Sequence, residues 1–219
     1  MSPVAELSTH GNGSNPTQFA TDESDCDTSR SAREAYEALA VRYQEHQLRV
    51  SRTVDLLELS QRELVNLVVS VVRNEGPIHA EEVARRVREA FGLERTGRRI
   101  LQSVSEALRW AFRNGTLIPE GDFWVPSGAT LQKPRNRRDA ASSLRRHDRI
   151  APQEYRLAIR SALRESVSAS KDELTSIVAR VLGFDRNGNG LDSAISEQID
   201  WMMQGGEIRD VAGRLENAN

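Results

Sequence analysis

The sequence predicts a mainly α-helical protein built from two copies of one small module, each closed by a short β-hairpin. Three observations predict it. Residues 63–115 align without a gap on residues 154–206 at an offset of 91, and 12 of the 53 positions are identical; chance gives about three at roughly 6% per position. The identities include Glu82 with Glu173, Gly92 with Gly183, Gly97 with Gly188, Trp110 with Trp201 and Gly115 with Gly206. Within the copies, apolar residues recur at the spacing of buried helix faces. After the third such run the pattern turns to short strand-like segments around a turn.

The elements follow in order. Residues 1–30 are rich in Ser, Thr, Asn, Gly and acids, with one Arg against five carboxylates and no periodicity, which predicts a disordered acidic tail. Residues 31–58 read as a long amphipathic helix, because Tyr36, Ala40, Tyr43, Val50, Val54 and Leu57 fall near a heptad seam that Gln47 interrupts. Such a helix docks on the first module or pairs with a second copy as a homodimer.

The first module spans 60–126. Ser60 and Glu63 form a capping box that opens a helix to about Asn74, with Leu64, Leu67, Val68, Val71 and Val72 inward. A second helix starts near His79, buries Val83, Ala84, Val87 and Ala90, and ends at Gly92. The third follows Gly97, buries Ile100, Val104, Ala107, Leu108 and Ala111, and stops at Asn114-Gly115. Thr116–Ile118 and Phe123–Val125 then make a hairpin about Pro119–Asp122. Three helices followed by such a hairpin is the winged-helix order, a variant of the helix-turn-helix. Residues 127–150 read as a basic linker, with seven Lys or Arg against two acids over 129–150, and residues 151–215 as a second winged-helix module.

Composition narrows the function. No apolar run approaches the length of a membrane span and no signal-peptide pattern opens the chain, so a cytoplasmic protein without membrane contact is expected. Cys26 is the sole cysteine, which excludes an internal disulfide and a cysteine-based metal site. His79 sits where a helix N-cap belongs, and the other histidines have no spacing for zinc or a catalytic triad. Asp185–Gly190 imitates the start of a calcium loop, but Ser196 stands where the closing Glu is required. Neither an enzyme nor a bound cofactor is expected.

Gly76-Pro77-Ile78-His79, Ala84-Arg85-Arg86, the run Phe91–Ile100 and Gly121-Asp122-Phe123-Trp124 together resemble an uncharacterised domain. That domain lies at the C-termini of very large bacterial superfamily-one helicases, often beside a restriction-endonuclease-like nuclease. The resemblance covers roughly residues 60–210 and implies association with DNA processing or defence. It supplies no catalytic residues, and the chain has no phosphate loop of the form G-x-x-x-x-G-K-[ST].

The candidate site is therefore a binding face. The third helix of the first copy should present Arg98, Arg99, Gln102, Ser103, Arg109 and Arg113 outward. Guanidinium groups bind phosphates or guanine edges and Gln reads adenine, so DNA is the expected partner. Lys133, Arg135, Arg137, Arg138, Arg145 and Arg146 of the linker, with the hairpin, are expected to hold further phosphates, each contact steepening salt dependence by about 0.9 on duplex DNA. The matching residues of the second copy are neutral or acidic, so that copy is expected to dock a protein such as a helicase or nuclease. Trp110 and Trp201, at equivalent positions, are expected to pack inward. The alternative reading is a protein-interaction scaffold that never touches nucleic acid.

Overall fold

A computed structural model of the chain describes residues 35–36, 38–51, 54–185, 188 and 190–218; the predicted tail, 1–30, lies outside these. The molecule is mainly helical. The first module comprises α1 (Gln61–Glu75), β2 (Ile78–His79), α2 (Ala80–Ala90), α3 (Arg98–Arg113), β3 (Leu117–Glu120) and β4 (Phe123–Pro126). It is preceded by β1 (Val41–Arg42) and followed by β5 (Arg135–Asn136). The second comprises α4 (Pro152–Ser166), α5 (Lys171–Val181), α6 (Leu191–Gln204), β6 (Ile208–Val211) and β7 (Arg214–Asn217).

The repeat register holds residue by residue. Both bounds of α1, α2, β3 and β4 move by the same offset onto α4, α5, β6 and β7. The pairing moves with them: β2 joins β4 through Ile78 opposite Trp124, and Ala169 bridges Leu215 at the equivalent place. Caps repeat as well, because Ser60 with Glu63 and Ser170 with Glu173 each form a complete capping box. His79 caps α2 through Nδ1, which accepts from the Glu81 N–H at 3.1 Å. Gly92 and Gly115 adopt positive φ where α2 and α3 end, a conformation that disfavours other residues.

Each module has its own core. Val68, Val71 and Val72 of α1 meet Val83 and Val87 of α2 and Val104, Leu108 and Ala111 of α3, all nearly inaccessible to solvent. Ile159, Leu163, Leu174, Val178, Ile195 and Ile199 do the same in the second. Among the described residues no helix is long and apolar enough to cross a membrane.

Two expectations fail here. The described residues of 41–58 do not form the expected helix: β1 pairs in parallel with β5, residues 43–50 have no regular structure, and Leu56–Glu58 is a single 3₁₀ turn. The apolar residues of this segment serve two cores: Tyr36 and Ala40 of the expected seam, with Leu39, lie against the second, Leu48 and Leu56 lie against the first, and Val54 and Leu57 of the seam are exposed. A helix buries one face in one direction, so a strap that visits both cores must be extended. The coiled-coil homodimer loses its seam with that helix, and Tyr43 is buried within the chain.

Nor is 127–150 a free linker. Leu144 is buried, two 3₁₀ turns occupy Ser142–Leu144 and His147–Arg149, and β5 lies against β1. The fastening is ionic. Glu154 of α4, fully buried, accepts from the Arg135 guanidinium at 2.6 Å and from Arg137 at 2.7 Å. Both guanidiniums stand over the Tyr43 ring at 4.8 and 4.9 Å. Arg135 also donates to the backbone carbonyls of Glu75 and Pro77, joining the second module's first helix to the end of the first module's. Glu75 in turn accepts from Arg86 at 2.6 and 2.7 Å and from the Tyr43 hydroxyl at 2.9 Å. A buried network of this kind is sensitive to the loss of any member, since each charge depends on its partners for solvation.

Candidate nucleic-acid interface

The third helix of the first module has 16 residues, and at about 100° per residue its buried positions, Ile100, Val104, Ala107, Leu108 and Ala111, collect on one side. Arg98, Gln102, Arg109 and Arg113 fall together at the centre of the opposite side, all exposed. Arg99 and Trp110 border this stripe on one flank, Leu101 and Phe112 on the other, and all four are exposed too. Ser103 lies at the half-buried edge of the core side, so it leaves the expected reading face.

Glu106 is the one carboxylate on that face, and it accepts from the Gln102 amide at 3.0 Å. Among the described residues, Arg98, Arg99, Arg109 and Arg113 have no carboxylate partner. Elsewhere arginines are consumed by neighbours: Arg85 bonds Glu82 and Glu89, each at 2.8 Å, and Arg86 holds Glu75. The helix opens at Gly97 with no side-chain cap and no acid in its first turn, leaving the positive end of its dipole uncovered. Arg95 joins Arg98 and Arg99 around a shallow notch there, beside Leu57 and Leu93. Arg95 precedes the helix, so helical periodicity does not point to it.

The linker cations divide differently from expectation. Arg135 and Arg137 are buried on Glu154 and offer nothing to a phosphate. Arg138 pairs with Asp185 at 2.9 Å and Arg146 with Asp148 at 2.7 Å. Arg149 is held by Glu81 and faces His79 Nε2; burial first, and then this guanidinium, push the imidazole below its ordinary value. Lys133 and Arg145 are exposed and have no ion pair among the described residues. The Asp185–Arg138 pair also accounts for the first carboxylate of the calcium-like run. The hairpin is a further correction: its turn exposes Glu120 and Asp122, which repel phosphates.

The tryptophans are the remaining surprise. Trp110 is 38% exposed and Trp201 is 48% exposed, so neither is the core residue expected from its recurrence. On α6 the solvent side carries Asp192, Glu197, Asp200 and Gln204, with Lys171 bound to Asp200 at 2.6 Å. The two third helices therefore share a scaffold and bear opposite charge.

Comparison with known proteins places a similarity on part of the first module. A family described as "Protein of unknown function (DUF3320)" matches residues 54–102, from just before α1 into the start of α3. No curated protein and no solved structure matches the chain.

Proposed function

We propose that the chain is a non-catalytic DNA-binding accessory of two winged-helix modules, in which α3 makes the nucleic-acid contact. The observation that carries this reading is the set of four exposed arginines on one helix face, none of them neutralised by a carboxylate among the described residues. Guanidinium groups left without internal partners are free to form charge-assisted bonds to phosphate. From Arg98 to Arg113 the ridge runs about 22 Å, long enough to follow several phosphates. The second module, with three carboxylates on the equivalent helix, repels a polyanion and suits a protein partner. A separate helicase or nuclease is the partner that the resemblance implies.

Fluorescence anisotropy of a labelled oligonucleotide tests this. Four phosphate contacts predict a log-log slope of affinity against salt of about −3 to −4, a loss of roughly 50- to 150-fold between about 50 and about 200 mM. A flat response, or no binding to either single-stranded or duplex probes at low salt, rejects the reading in favour of a protein scaffold.

A further inference from the structure

We infer that the α3 face takes single-stranded DNA in preference to duplex, with Trp110 as a base-stacking platform. The inference rests on the DNA-binding reading above and names its substrate class. In the second module, the Arg156 guanidinium lies over the Trp201 ring at 4.0 Å, so that aromatic face is already occupied by an intramolecular cation. The repeat places Val65 at the position of Arg156, and Val65 is buried in the core of the first module. Among the described residues no cation covers Trp110, and its indole N–H makes no hydrogen bond. Its ring borders the same stripe as Arg109 and Arg113, one helical turn or less away.

An exposed indole beside unpaired guanidiniums is the combination that binds a single strand: cations follow the backbone while a ring stacks on a base. Bases of a duplex are stacked on one another and present only their edges in the grooves, so they offer the ring no face. Phe112 and Leu101 extend the apolar border on the opposite flank of the cationic stripe, 49% and 39% exposed. The hairpin turn exposes Glu120 and Asp122 and so offers no cation to a second strand.

The test compares one mixed-sequence oligonucleotide as single-stranded DNA, as duplex and as RNA, by anisotropy at low salt with the full chain. Single-stranded DNA is expected to bind about tenfold tighter than duplex, and Trp110→Ala to lower that affinity by about tenfold, the scale of one lost base stack. Trp110→Phe keeps most of the binding, and Trp201→Ala leaves it unchanged. Circular dichroism confirms that each variant is folded. Duplex bound as tightly as single strand, indifference to Trp110→Ala, or tighter binding of RNA overturns the inference while the nucleic-acid reading stands. Failure of all three probes to bind overturns both.

Discussion

Glu154→Gln is expected to destabilise the protein by about 3–5 kcal/mol, the cost of breaking a buried ion pair from one side. The carboxylate is fully buried and is the acceptor that neutralises both Arg135 and Arg137. The amide keeps the shape and removes the charge, leaving two guanidiniums between the modules with no counter-ion. The loss is a large share of the 5–15 kcal/mol that stabilises an ordinary domain. Denaturant unfolding measures it, and a change under about 1 kcal/mol contradicts the network's role.

The same group sets a pH dependence. Burial pushes the Glu154 carboxyl up, but Arg135 and Arg137 outweigh it and hold the pKa at about 2, below the ordinary 4.5. A folded value below the unfolded one means that the ionised form stabilises the fold. That contribution is complete above about 4.5 and is lost as the pH falls through about 2, a loss on the order of 3 kcal/mol for a shift of this size. Acid unfolding of the wild type is thus expected to steepen in this window, and the Gln variant to lack that component.

Arg109→Asp is expected to weaken DNA binding by at least about tenfold and to flatten the salt slope by about 0.7–0.9, because one phosphate contact becomes a repulsion. The second module already carries this substitution: its equivalent residue is Asp200, exposed and bound to Lys171. The scaffold accepts an acid there, so the loss should appear in binding and not in stability. Arg164→Asp makes the same change of net charge at an exposed site on α4 and serves as the control. Equal losses from both substitutions would mean that overall charge, not the α3 ridge, governs binding.

The sequence revealed most where the signal was local. Capping boxes and helix-ending glycines depend on neighbours within a few residues, and the structure reproduces them. It hid what depends on a distant partner. Tyr43 and the linker arginines have the composition of a helix seam and a solvated spacer, and only the arrival of Glu154 from the second module buries them together. The repeat register hides that acceptor. Glu154 occupies the place of Glu63, which in the first copy is an exposed capping residue, whereas α4 follows Ala151, which supplies no side-chain cap, and turns its glutamate inward. On α3 the periodicity locates the cationic face, but recurrence of a tryptophan in both copies predicts packing where the structure exposes both rings. Two duplicated surfaces can conserve an exposed ring as readily as a buried one.

On the proposed function, nucleic acid lies along α3 of the first module and nowhere on its counterpart. Backbone amide chemical shifts, followed by NMR while a short single-stranded oligonucleotide is titrated into the full chain, test this most directly. Shifts concentrated at residues 95–113, with α6 silent, are the expected result. Shifts centred on residues 191–204, or spread evenly over the exposed basic residues, would contradict it.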